Sequence, residues 1–591
     1  MWKASVAALA LSAGIVGFAA PAQAQCLPMM CGFSEKGKKG PFVANEVKPK
    51  KLAKADATIE QSKADGSLAA GSIDRGDLHG AGLHMPQTEL ALEALVESLR
   101  PHWPYRQPGP IDVKIVASYS FSPLAHADNV IVVPLGALLR AETDDEVAWL
   151  MGHEFSHLAL GHFERHAKAR KREKFIGNAV SLMQGGAAIA SSRYSFGSNG
   201  LQQRGTDQKL LQKLSSGIYT KSEDLRLVSA LLNDVFSRKQ EDQADVAGLD
   251  LAMAAGFSDS GASLAIEELG KDDEQRKNLF AAIGDDMAEF GKLEGGRLLL
   301  AATQRGGNLK AQGGSLVDNL LGNLKTIAVN KLVDHYTATH RPAEPRREGV
   351  LAYHERAYPE GELRDTTSEW LDALKANPEV VPAQAMLDAR VSALALLQEG
   401  KANEAVAVLK PAMEGVYGSN PLLLNTAAQI YAEAGDRAGA EAIYSRAMGL
   451  QNTPDNPYLA QSRTGFVDHV TLLVSMGNIA KANEVIAKGT ERFGDDHAFL
   501  PQKIRIAMKT RDMDQLVGTM ARCTDIGDPA LSADCEYALL GPEADAAYAV
   551  LTPLERAEID KQRGMAKQKA QTGGFLKAVT GGLKSLGGGS Q

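Results

Sequence analysis

Few cysteines, few aromatic residues and no excess of positive charge mark this chain. Lysine and arginine number 64 against 72 aspartates and glutamates, a formal charge of −8. A protein that grips nucleic acid needs a concentrated basic surface to neutralise phosphates, so that class is excluded. Beyond the N-terminus no stretch reads as long and apolar enough to span a bilayer. The 4 cysteines fall in two close pairs, Cys26 with Cys31 and Cys523 with Cys535. An oxidising compartment would allow them to close two small loops, although four thiols permit three connectivities. An apolar content of 44% over 591 residues describes a globular protein of two or more domains rather than a disordered or fibrous one.

At the N-terminus Lys3, an apolar run from Ala4 to Ala20 and the triplet Ala22-Gln23-Ala24 have the layout of a secretory signal. Cleavage after Ala24 and a periplasmic mature protein are the expectation. Gln25 stands before Cys26 where a lipoprotein signal has a small residue, so lipidation is not expected. Residues 35–56 are rich in Lys, Gly, Pro and Ala and read as a solvated linker.

The spacing of Leu90, Leu92, Leu95, Val96 and Leu99 predicts a helix over 85–99. Alternation at Ile111, Val113 and Ile115, and the β-branched run Val130 to Val133, predict two strands. Thr143 followed by Glu146 is a capping-box pattern, opening a helix expected to continue through His162. On that helix His153 and His157 lie four residues apart, so their imidazoles leave one face a turn apart and can grip one metal ion. Glu154 beside them can act as a general base. His162, nine residues past His153, falls about 180° away on a continuous helix, at 3.6 residues per turn, and is no ligand unless the helix breaks. The extended metzincin pattern is absent, because Leu160 and Phe163 stand where it has glycine and histidine. The third ligand must come from elsewhere. Glu241, with Asp245 one turn later, supplies a carboxylate and an acceptor for the far nitrogen of a ligand histidine.

Gln184–Gly205 reads as a glycine- and serine-rich loop or insertion. In the C-terminal third a local pattern recurs at Gly400, Gly435, Gly477 and Arg511, at offsets of 35, 42 and 34 residues. That is close to the tetratricopeptide period of about 34, with glycine in the turn and Ala405, Ala440 and Ala482 allowing close helix pairing. An ordinary helical bundle is the alternative.

The segments TDDEVAWLMGHEFSHLALGH, EDQADVAGLDLAMAAGF and THRPAEPR, in that order, resemble the three signatures of the gluzincin family that includes HtpX-type and CAAX prenyl endopeptidases. With a signal in front and repeats behind, the chain looks most like the BepA-like periplasmic branch. The resemblance implies an α+β zincin-like metallopeptidase domain, mostly helical with a small sheet, over 84–350, and an all-α tetratricopeptide-like solenoid over 351–540. A signal peptide at 1–24, a linker at 25–83 and a flexible glycine-rich tail at 541–591 complete the layout. It implies one Zn²⁺ per chain on His153, His157 and Glu241, with Glu154 as base and Asp245 behind a histidine. His340 would sit at the open metal position or the oxyanion, with Arg346 behind it; Arg341 separates His340 from the proline that the family usually has directly after it.

Unfolded or misassembled envelope proteins are the implied substrates, and outer-membrane assembly machinery the implied partner of the repeats. Peripheral membrane contact through the basic run 165–175 is the sharper reading of what is otherwise a solvated helix face. A repeat-based chaperone or adaptor with a silent or self-blocked site is the competing function.

Overall fold

The computed structural model describes residues 81–103, 107–126, 129–162, 192–197, 200–206, 236, 238–274, 342–358, 364–526, 531, 534–535 and 538–539. The signal, the linker up to residue 80, Cys26 and Cys31, the basic run 165–175, His340 and the glycine-rich tail lie outside them; residues 81–83, expected to end the linker, are instead buried and carry a strand that pairs into the sheet.

A four-stranded sheet has the order β1-β2-β4-β3, from β1 (Gly82–Leu83), β2 (Asp112–Val116), β3 (Leu124–His126) and β4 (Val130–Pro134). Strands β2 and β4 are parallel, Val113 opposite Ile131 and Ile115 opposite Val133. The outer strands are antiparallel to their neighbours. Val113 and Ile115 are buried while Asp112 and Lys114 are half-buried, the alternation the sequence carries. Every residue of β4 is buried, as suits a central strand covered on both faces. Both edges of β4 are taken, by β2 and β3, so no further segment can pair with it. Among the described strands the edge next to the histidine helix is β3, cut from the segment Ser122–Asp128.

Helix α1 (Pro86–Leu99) buries Leu92, Leu95, Val96 and Leu99, whereas Leu90 is exposed and lies off the apolar stripe. Its N-terminus has no side-chain cap of its own. The Glu379 carboxylate, nearly 300 residues away in sequence, accepts hydrogen bonds from the backbone N–H of Gln87 at 3.1 Å and of Thr88 at 3.0 Å. It meets both the orphan donors and the positive end of the helix dipole. Glu379→Ala is expected to lower the free energy of unfolding by about 1 kcal/mol, the usual worth of a helix cap, measured by urea denaturation.

Helices α2 (Leu135–Arg140), α3 (Asp144–Ala159), α4 (Arg238–Ala254), α5 (260–274) and α6 (Ala343–Ala357) follow. Part of the glycine-rich stretch expected to be a loop is instead a two-stranded antiparallel sheet, Ser192–Gly197 with Gly200–Thr206.

After α7 (Glu369–Lys375) come four helix hairpins: α8 (Val380–Gln398) with α9 (Ala402–Glu414), α10 (Pro421–Glu433) with α11 (Arg437–Gly449), α12 (Arg463–Ser475) with α13 (Ile479–Phe493), and α14 (Leu500–Thr510) with α15 (Met513–Asp525). Each turns at a left-handed residue, Gly400, Gly435, Gly477 and Arg511, with φ of 77°, 89°, 77° and 60°. Three glycines adopt this conformation at little cost, while Arg511 has a Cβ to accommodate. Ala405, Ala440 and Ala482 are fully buried between paired helices. Helix α8 is long and apolar enough to cross a membrane by length and composition, which the sequence reading overlooked; its Ala383, Leu387, Ala393, Leu394 and Leu397 are buried in the hairpin packing. Cys523 and Cys535 are joined by a disulfide.

The first two hairpins share the core of the N-terminal part, while the third and fourth are built around two further clusters. One cluster of buried apolar side chains runs from Ala81 to Leu472. At the start of α3, Asp144 accepts from the Leu371 backbone N–H at 2.8 Å and from Thr367 Oγ1 at 2.7 Å. The helix that carries the histidines is thus anchored at its N-terminus by the segment leading into the hairpins.

Candidate metal centre

Helix α3 starts as its sequence dictates. Thr143 Oγ1 accepts from the Glu146 N–H while Glu146 Oε1 accepts from the Thr143 N–H at 3.0 Å, a reciprocal capping box. His153, Glu154 and His157 all lie in its buried second half. Helix α4 crosses it at very close range. A Cβ at Gly248 would stand 2.8 Å from the His153 backbone nitrogen, and one at Gly152 would stand 3.1 Å from the Gly248 carbonyl oxygen. Glycine on both helices lets their backbones meet, and that proximity carries Glu241 over the two histidines. Gly248→Leu is therefore expected to separate the ligands and to cost about 1–3 kcal/mol through overpacking. Calorimetric metal titration and thermal melting of this variant check both effects.

His153, His157 and Glu241 each offer a ligand atom, and these atoms all lie within 4.8 Å of one another. His153 Nε2 is 3.0 Å from His157 Nε2. Each of these nitrogens is 3.7 Å from a Glu241 carboxylate oxygen. Behind His153, Nδ1 lies 3.0 Å from Asp245 Oδ1. A carboxylate there holds the ring proton on Nδ1, which leaves the Nε2 lone pair aimed inward. Arg346 grips the same Asp245 with two hydrogen bonds, Nε to Oδ2 at 2.9 Å and a terminal nitrogen to Oδ1 at 2.6 Å. It also lies 3.8 Å from Glu241 Oε2. The Trp149 indole donates to the Asp245 backbone oxygen at 3.2 Å, and Phe236 stacks on His157 with ring centroids 3.7 Å apart.

Glu154 projects from α3 to the sheet edge, where its Oε2 accepts from the Ala125 N–H of β3 at 2.7 Å. Burial pushes its carboxyl up to about 7, against the pull of the His153 charge. Burial likewise raises Glu241. His157 is held well below its ordinary range by burial and by His153. Asp245 pays for burial too, but the Arg346 charge and the bonds from His153 and Arg346 outweigh it and bring the carboxyl down to about 2. Three convergent donors, a neutral imidazole among them, with Glu241 still raised by burial despite Arg346 at 3.8 Å, form the donor chemistry that suits a divalent cation.

The structure brings His153, His157, Glu241, Asp245 and Glu154 into one buried site. The expectation that Arg346 backs His340 involves a residue outside the described ones. The Arg346 guanidinium faces Asp245, the carboxylate behind His153, and gives that buried charge its partner. His340 lies outside the described residues. The helix does not continue through His162 either; it ends at Ala159, and Gly161, with φ of 62°, reverses the chain. Sequence reasoning missed Gly152, Gly248, Ala125 and Phe236, which act only through tertiary packing. His162 it placed on the wrong side, although Gly161 in the quoted stretch was a readable stop signal.

Two histidines and a glutamate on crossed buried helices, with a free carboxylate beside them, define a metallohydrolase centre of the His₂Glu kind. The comparisons agree with this class. Residues 86–347, the stretch that holds the site, match the family model described as Peptidase family M48. Metalloprotease LoiP of Escherichia coli (strain K12) is 29% identical over 169 residues, covering 29% of this chain and 55% of LoiP. The chain thus spans about half the length of the curated relative it matches.

Proposed function

We propose that this protein is an exported zinc-dependent endopeptidase that hydrolyses unfolded or misassembled envelope proteins, with its helix hairpins docking substrate or assembly machinery. The observation that carries the peptidase reading is the buried triangle of His153, His157 and Glu241 with Glu154 at its side. Zinc bound there supplies Lewis acidity toward a peptide carbonyl and acidifies water to a pKa of about 7. Glu154 accepts the proton of the attacking water and returns it to the departing amine, so no covalent acyl-enzyme forms. An extended peptide adds along β3, whose Ala125 N–H points to Glu154 rather than into the sheet, and main-chain pairing of this kind selects unfolded segments.

Export to the periplasm is supported by Lys3, the apolar run Ala4–Ala20 and the Ala22-Gln23-Ala24 triplet. A tetratricopeptide-like solenoid is supported by the four hairpins and the left-handed turns at 400, 435, 477 and 511. The test is metal content of the purified mature protein together with casein cleavage, before and after chelation and zinc return. One zinc per chain and cleavage restored by zinc support the peptidase. Zinc without cleavage, for wild type and for His340→Ala alike, would move the reading to a chaperone or adaptor with a silent site.

A further inference from the structure

Arg140, in the last turn of α2, meets two carboxylates of α5. Its Nη2 lies 2.8 Å from Glu268 Oε2, and its Nη1 pairs with Asp272 Oδ1. One carboxylate is enough to balance one guanidinium, and Glu268, which also meets Lys271, can do so from a partly exposed position. Asp272 is only 3% exposed, so a second carboxylate has been buried where the charge alone does not call for it.

The other oxygen of Asp272 shows what that burial accomplishes. Oδ2 accepts from the Ser120 hydroxyl at 3.0 Å and from the Phe121 backbone N–H. Ser120 Oγ accepts in turn from the Ser122 N–H at 3.3 Å, two residues before β3 begins. These donors all belong to the connection from β2 to β3. Helix α2 grips the same connection from its other end: Arg140 Nη1 donates to the Tyr119 oxygen at 3.0 Å, and the Gly136 N–H donates to the Ser118 oxygen at 2.8 Å. A Cβ at Gly136 would stand 2.3 Å from the Tyr119 oxygen, so only glycine lets the two backbones come this close. Phe121 is fully buried, its ring 5.4 Å from the Arg140 guanidinium carbon.

Strand β3 pairs with β4 over three residues, a ladder too short to fix its own place against strain from the chain that feeds it. The connection therefore decides where β3 lies, and with it the Ala125 N–H that meets Glu154.

We propose that Asp272 is a positioning residue for substrate binding: by holding Ser120 and Phe121 it fixes the β2–β3 connection and so sets the free edge of β3 along which an extended peptide pairs. The inference rests on the reading of β3 as the substrate edge. It adds that this edge is set from α5, one helix beyond the helix that carries Glu241. Main-chain pairing along a strand is made alike by bound substrate and transition state, so a slackened edge should appear in KM and not in kcat.

The experiment uses the full-length mature protein, with hydrolysis of a fluorogenic peptide, zinc content and amide hydrogen exchange read on each variant. Asp272→Ala is expected to raise KM about tenfold, the order of loss when a charged hydrogen-bond acceptor is removed, with kcat and zinc content kept. Exchange should quicken in residues 118–126 and stay as it was in α3. Asp272→Asn, whose amide oxygen can accept both bonds, should recover most of the KM although it no longer balances Arg140. Glu268→Gln disturbs the same arginine without touching the connection and should keep the wild-type KM. A wild-type KM in Asp272→Ala, an equal rise in Glu268→Gln, or joint loss of kcat and zinc overturns the proposal. If Asp272→Ala fails to fold, Ser120→Ala removes one of the two bonds from the other side, and a wild-type KM there overturns it as well. A wild type that cleaves nothing sinks the peptidase reading instead, and the exchange of residues 118–126 then decides whether Asp272 holds the edge.

Discussion

Glu154→Gln is expected to retain the metal and to lose peptide hydrolysis by about 10²–10⁴-fold, the usual worth of a positioned general base. Glutamine keeps the volume of the side chain and an oxygen for the Ala125 N–H, so β3 and α3 stay in register; what it lacks is a site for the proton. Metal stoichiometry and turnover of a fluorogenic peptide, measured on the same preparation, separate this result from simple loss of the centre. The pH profile adds a sign. A base works when ionised, and burial brings this carboxyl up to about 7, so kcat/KM should fall as pH drops through a limb at or below 7. A bound cation close by favours the carboxylate and moves the limb downward, never upward. Loss of activity on the alkaline side alone, with a flat acid side, would remove Glu154 from the role of base.

What the sequence made legible is what local chemistry decides. The capping box of α3, the helix-spaced histidines, the alternation in β2 and the left-handed turns of the hairpins each follow from a few neighbouring residues. The pair Glu241 and Asp245 was legible too, because two acidic groups a turn apart on an apolar helix needed a reason to be there. The illegible parts all depend on distant packing. Strand β3 has three residues, too few to leave a period, and owes its edge position to the pairing of β4 with β2. The close crossing at Gly152 and Gly248 is visible only once both helices are in place. Glu379 looks like a surface residue in sequence and turns out to cap α1.

These contacts bear on how the two parts of the molecule work together. Glu379 caps α1, Asp144 at the head of the histidine helix accepts from Leu371, and Asn420 donates to the Gly82 oxygen in β1 at 2.9 Å. The hairpins therefore brace one edge of the sheet and the start of α3, while the described opposite edge, β3, meets Glu154. The first two hairpins are in this way built onto the same core as the metal centre.

The second large effect concerns Asp245 and Arg346. Asp245→Ala is expected to destabilise the protein by about 3–5 kcal/mol, because it leaves the Arg346 guanidinium buried without its carboxylate. It should also weaken metal binding about 10–100-fold, because His153 loses the group that fixes its ring. Arg346→Leu, which strands the carboxylate instead, should cost a similar amount of stability. The double variant Asp245→Leu with Arg346→Leu is the decisive one. Removing both charges eliminates the unpaired group, so stability should recover well beyond the sum of the single losses, as coupled neighbours do in a mutant cycle. Metal affinity should not recover, since nothing then holds the proton on His153 Nδ1. Acid titration of the metal-free wild type gives an independent check. The Asp245 carboxyl lies near 2 when folded, below its unfolded value, so its contribution to stability is present above pH about 4 and is lost as pH falls toward 2. The double variant should lack that part of the acid loss. Recovery of both stability and metal affinity in the double variant would mean that the pair only fills space, and that His153 finds its orientation without it.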